Sequence, residues 1–132
     1  MRITTNKQTS KTLKEMGFPQ STNYFWCGDE DNNGRFNLAL YDTSETMDSY
    51  AAPTTDEILK LLPERIEVND LSYGFRLWFV DMSRYVRHYC CNYFVMNYGK
   101  QGRLMNDGVI IEQEAVEAIA KMWMYCKINK FI

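Results

Sequence analysis

The chain has 132 residues, 45% hydrophobic, 14% aromatic and 24% charged, with a formal net charge of −2. A chain of this length buries roughly two thirds of its unfolded surface and needs no metal or disulfide staple, and its composition excludes the disordered and low-complexity classes. The opening MRITTNKQTSK lacks the apolar stretch of a secretory signal, no apolar run approaches the ~18 residues of a membrane span, and the small negative charge argues against a wholly basic nucleic-acid binder.

A single cytoplasmic domain is therefore expected. Cys27, Cys90, Cys91 and Cys126 are expected to be free thiols, because nothing marks secretion and adjacent cysteines such as Cys90 and Cys91 seldom join each other.

The first predicted helix starts at Thr9 or Ser10 as N-cap, runs through Leu13 and Met16, and stops at Gly17, where a left-handed cap closes it. Tyr24 to Cys27 and Phe36 to Tyr41 are aromatic and apolar runs on either side of Asn33-Gly34, the dipeptide that most favours a two-residue hairpin turn. With Asn33 and Gly34 as the loop, Cys27 faces Leu40 and Trp26 faces Tyr41, and Phe36, Leu38 and Leu40 share a face with Phe25 and Cys27. Asp29, Asp31, Asn33 and Gly34 also match the opening of an EF-hand calcium loop. Position twelve of that loop needs a bidentate carboxylate and is Leu40, and the flanks alternate like strands, so the acidic residues are read as dressing a turn.

Asp42 to Ala52 reads as a connection. Thr54 then caps a helix in a box with Glu57, with Ile58, Leu61 and Leu62 as its apolar stripe and Pro63 as its stop. Arg65 to Val68 is a short strand and Asn69-Asp70 a turn. Phe75 to Val80 is apolar except at Arg76 and reads as a strand well inside a sheet. Asp81 to Arg84 is expected to connect it to a long strand from Tyr85 to Tyr98, broken or bulged near Cys90 to Asn92. Gly99 to Gly108 is a polar loop. The closing helix carries Ala115, Val116, Ile119, Met122, Trp123 and Cys126 at helical spacing, with Glu117 and Lys121 as an i,i+4 pair. The fold expected is α+β, an antiparallel sheet of about four or five strands with helices packed on one face, in the order α-β-β-α-β-β-α.

Candidate chemistry is sparse. His88 and Cys90 point the same way on a strand and invite a zinc site with Cys126, yet no CxxC pair exists and packing roles are the simpler reading. A Cys90 or Cys91 nucleophile activated by His88 lacks any local oxyanion hole or helix N-terminus. The clearest surface signal lies between Asp81 and Asp107, where no acidic residue occurs. That window carries +4 and leaves −6 for the rest of the chain. It interleaves Arg84, Arg87, Lys100 and Arg103 with Tyr85, Tyr89, Tyr93, Phe94 and Tyr98, a pattern suited to bases on aromatics and phosphates on cations. Strand alternation sends about half of these side chains inward, and no RNP-like motif is present.

At "YAAPTTDEILKLLPERI" (Tyr50 to Ile66) and "EQEAVEAIAKMWMYCKINKFI" (Glu112 to Ile132) the chain resembles a family of short proteins encoded by prophages and mobile elements of gut Bacteroidetes. Their shared pattern is an "APT-x-x-E-hydrophobic-L-x-x-LP" helix, an aromatic strand region and a closing helix of the type "A-D-A-L-A-x-M-W-x-x-L-K". Glu117 stands here where that pattern has Asp, and Cys126 where it has Leu. These are helix caps and packing positions over about the last two thirds of the chain. The resemblance implies a bacterial or phage origin and an intracellular setting, and assigns no catalytic residue.

The function expected is that of a non-enzymatic phage accessory protein that binds another protein, with a homodimer as one form of that reading and no cofactor, metal or membrane involved. The alternative is single-stranded nucleic-acid binding through Arg84, Tyr85, Arg87, Tyr89, Tyr93, Tyr98, Lys100 and Arg103; a Cys/His-dependent enzyme is the third.

Overall fold

The computed structural model describes residues 3–30, 36–41, 49–83, 86–105 and 109–132. The fold is α+β, and the described residues form three helices and two antiparallel sheets in place of the one sheet expected.

Helix α1 (Lys7–Glu15) begins three to four residues earlier than the sequence suggested. Asn6 is its N-cap, and its side chain accepts from Thr9 N. Thr9 and Ser10 lie inside the helix and are buried. At the other end Gly17 takes φ +87°, Gly17 N donates to Lys14 O and Phe18 N to Leu13 O. This double bond pattern needs a left-handed residue at Gly17, which a residue without Cβ adopts freely.

The smaller sheet has the order β2-β1-β3, built from β1 (Phe25–Glu30), β2 (Phe36–Tyr41) and β3 (Tyr50–Ala51). Its hairpin register is Trp26↔Leu40 and Cys27↔Ala39, ending at Glu30↔Phe36. The expected pairs, Cys27 with Leu40 and Trp26 with Tyr41, are therefore displaced by one residue. Because side chains alternate along a strand, the slip puts Leu40 on the face of Trp26, away from Phe25 and Cys27, and Leu40 is exposed. Asn33 and Gly34, with most of the 42–52 connection, lie outside the described residues. The register is set from the other edge of β1: Trp26 pairs with Tyr50 on β3, its Nε1 donates to Thr5 O at 2.9 Å, and Ala52 N donates to Tyr24 O.

Helix α2 (Thr55–Leu59) carries the full capping box, Thr54 with Glu57. Ile58 and Leu62 are buried, but Leu61 is exposed, so the stripe is narrower than its spacing suggested. The larger sheet has the order β4-β5-β6-β7, with β4 (Arg65–Val68), β5 (Leu71–Ser83), β6 (Val86–Val95) and β7 (Ile110–Glu112). Asn69 and Asp70 join β4 to β5 with φ +52° and +66°, the two left-handed residues of a type I′ turn. Strand β5 runs through Asp81 to Ser83, residues that the sequence assigned to a connection. The break expected near Cys90 to Asn92 is absent from β6, and the pairing shifts instead between Asp81 and Ser83. The edge of β6 near Asn92 is closed by the loop: Asn92 Oδ1 accepts from Met105 N, and Leu104 N donates to Tyr93 O.

Helix α3 (Ala115–Ile128) lies against β6 and β7, with α1 and α2 packed on it. Val116, Ile119, Met122, Trp123 and Cys126 form its buried stripe and meet Leu13, Phe18, Ile58, Ile66, Cys91 and Tyr93 in one core. The Phe18 and Trp123 rings meet edge to face at 4.9 Å. Glu117, expected to pair with Lys121, is buried: its carboxylate accepts from Asn6 N at 2.6 Å and from the Thr9 hydroxyl at 2.5 Å. The partner of Lys121 is Glu112. No helix of the described residues is long and apolar enough to cross a membrane.

Candidate functional site

Antiparallel pairing divides the β5–β6 ribbon into two faces. On the face toward α3, Phe75, Leu77, Phe79 and Asp81 stand opposite Tyr93, Cys91, Tyr89 and Arg87. On the other face, Gly74, Arg76, Trp78 and Val80 stand opposite Phe94, Asn92, Cys90 and His88.

This division decides the fate of the sequence-predicted surface. Tyr93 is fully buried, and its hydroxyl donates to Pro63 O at 2.7 Å. Tyr89 packs against the core beside it. The Tyr93 ring is closed to a partner, and Tyr89 is half-buried. Arg87 lies on the same face, 3.2 Å from Asp81 and over the ring of Phe79 at 4.2 Å, so its charge is already matched. Tyr98 is fully exposed. Lys100 and Arg103 line a groove of about 390 Å³ with Arg76, Phe94, Val95, Gln101 and Gly102. Arg84 and Tyr85 lie outside the described residues.

Arg76 is the member that the window missed. It sits on β5, and strand pairing brings it to Phe94, whose ring it covers at 5.5 Å. Its signal in the sequence is that it alone breaks the apolar run Phe75 to Val80. Trp78 meets the same ring at 5.6 Å.

The thiols are placed for packing. None of the four cysteines is in a disulfide, and all four are buried. Cys91 Sγ donates to Ala118 O at 3.3 Å, and burial pushes its thiol up to about 12. Burial also raises Cys90, and raises Cys126 to about 11 against the lowering effect of a hydrogen bond with Tyr93. An attacking thiol needs the opposite shift. Alternation turns Cys90 and His88 away from the side where Cys126 lies. Among the described residues no three His, Cys, Asp or Glu side chains gather as metal ligands. Asp29, of the calcium-like run, pairs with Asn37 between two strands, whereas an EF-hand loop sits between helices; Asp31 and Asn33 are outside the described residues.

The second notable surface is the free edge of β5. Strand β4 pairs with β5 only from Leu71 to Gly74, and beyond it no described strand occupies that edge. The sequence placed Phe75 to Val80 well inside the sheet; among the described residues β5 has a neighbouring strand on one side alone over this stretch. Leu77 is 39% exposed, Phe79 55% and Val80 41%, while Cys91, opposite Leu77 on β6, is fully buried and Tyr89, opposite Phe79, is half-buried against the core. For Leu77 and Phe79 the contrast arises because α3 packs on β6 and β7 rather than on β5, whereas Val80 lies on the opposite face. Beside the point where β4 leaves the edge, Leu59, Leu62, Pro63, Glu64 and Phe75 enclose a second pocket of about 240 Å³.

No family model, curated protein or solved structure matches the chain.

Proposed function

We propose that this chain is a non-enzymatic phage or prophage accessory protein of the bacterial cytoplasm. It acts as a protein-binding module that takes an extended segment of a partner along the free edge of β5. One observation carries the reading: among the described residues nothing pairs with the outer edge of β5 over residues 75–83, and Leu77, Phe79 and Val80 are exposed there. An open edge is a template for a further strand, whose backbone bonds supply affinity and whose alternate side chains supply selectivity. An incoming strand would cover Leu77 and Phe79 on one face and Val80 on the other. The pocket between Leu59, Leu62, Pro63 and Phe75 would take an apolar side chain where the strand meets the end of β4. The raised thiols of Cys91 and Cys126 count against the enzyme reading.

The test compares the wild type with a Leu77→Glu, Phe79→Glu variant whose fold is verified by circular dichroism. Both are immobilised and exposed to extract from the bacteria that carry the gene, and bound proteins are identified by mass spectrometry. The expected result is a partner that the variant loses and that slows amide exchange over residues 75–83 in the complex. Equal recovery by the variant, or unchanged exchange over that edge, refutes the proposal. Sedimentation of the pure protein separates it from self-pairing, which would appear as a dimer that the variant abolishes.

A further inference from the structure

The groove on the opposite face of the ribbon carries a ligand class of its own and does not depend on the β5 edge. Arg76, Lys100 and Arg103 come from a strand, a turn and a loop segment and converge on one groove whose lining holds no carboxylate. No carboxylate of the described residues pairs with any of the three. This differs from Arg87 and Lys121, whose charges are matched by Asp81 and Glu112. Three cations around one depression, unmatched among the described residues, raise the local concentration of anions.

The groove is anchored at both ends. Val95 N donates to Gly102 O, Arg103 bridges Phe94, and Lys100 N closes a turn onto Asn97 O. Asn97 is itself tied to β5, since its side chain accepts from Ser72 N at 2.7 Å. The cations are thus carried on a braced loop. Phe94 is not available as a stacking platform, because Arg76 and Trp78 already cover it. Tyr98 is: it stands in the braced turn two residues before Lys100 and is fully exposed.

We infer that this groove binds a short stretch of single-stranded nucleic acid, with phosphates held by Arg76, Lys100 and Arg103 and a base stacked on Tyr98. Stacking on a free aromatic beside a cationic track is how sequence-tolerant single-strand binders work. An acidic peptide would satisfy the cations and leave Tyr98 without a role.

Fluorescence anisotropy with labelled ten-residue oligothymidine and oligouridine tests this between 50 and 200 mM salt. About three phosphate contacts predict a log–log salt slope of about −2, or about a fifteenfold loss of affinity over that range. Tyr98→Ala is expected to weaken binding about tenfold, and the triple change Arg76→Ala, Lys100→Ala, Arg103→Ala to abolish it. All of these positions are exposed, so circular dichroism should report an intact fold. Absence of binding at 50 mM salt overturns the inference, as does a triple variant that binds like the wild type. A labelled ten-residue polyglutamate bound as tightly as the oligonucleotides, with no effect of Tyr98→Ala, overturns it in favour of an acidic protein segment.

Discussion

The buried carboxylate of Glu117 offers the sharpest test of how the fold is held. Its two oxygens take the backbone N–H of Asn6 and the hydroxyl of Thr9, residues 111 and 108 positions away. Each is a hydrogen bond to a charged acceptor, for which ~1.5–3 kcal/mol is typical. Glu117→Ala removes both and leaves the Thr9 hydroxyl buried without that acceptor. Part of the loss is offset, because a carboxylate no longer has to be kept out of water. A net destabilisation of about 3 kcal/mol follows. Glu117→Gln keeps an acceptor for Asn6 and loses the charge, so about half that cost is expected. Urea unfolding read by tryptophan fluorescence measures both, and for a domain of this size the alanine variant should melt about 10 °C lower. Thr9→Val combined with Glu117→Ala should be clearly less than additive, since both remove the same bond. A loss under ~0.5 kcal/mol for Glu117→Ala, or strict additivity with Thr9→Val, would refute the idea that this carboxylate docks α1 on α3.

Two further outcomes are expected. Burial raises Cys91 to about 12 and Cys126 to about 11, so above about pH 8.5 an unfolded chain gives up thiol protons that the folded chain retains. Stability should fall between about pH 8.5 and 11, and Cys126→Ala should flatten the slope; a rise in urea midpoint over that range would contradict it. Asp70→Gly should stabilise the β4–β5 hairpin by about 0.5–1 kcal/mol in thermal unfolding, because Asp70 holds φ +66°, a conformation that glycine adopts without strain.

Features decided within a few residues were legible in the sequence. The Thr54–Glu57 box, the stop at Gly17, the Asn69-Asp70 turn and the stripe of α3 all rest on local bonds or a single periodicity. What escaped was decided from afar. Thr9 and Ser10 looked fit to cap the first helix, but Glu117, far along the chain, takes the Thr9 hydroxyl and the Asn6 N–H, and Asn6 is the cap. The Asn33-Gly34 dipeptide suggested a two-residue loop, but β1 is also held by β3 and by the bond from Trp26 to Thr5, and that second edge imposes the register. At the candidate site, the absence of acid from Asp81 to Asp107 was visible, and so was the fact that alternation would send some of its tyrosines inward. The arrival of Arg76 from another strand depends on the Arg76↔Asn92 pairing, which no local pattern encodes. The open edge of β5 was missed because an apolar strand reads as interior whether or not a neighbour covers it.

The bond between Glu117 and the start of α1 also bears on how the chain is made. Synthesis delivers α1 first and α3 far later, so the earliest helix can lean on β3, through bonds such as Lys14 to Ser49 O, but lacks its tie to α3 until residue 117 has left the ribosome. Cys91 and Tyr93, which α3 covers in the finished protein, stay bare for the same interval. The fold is therefore completed after translation has passed nearly all of its strands, and a nascent chain stalled before α3 should be the form most exposed to chaperones and proteases.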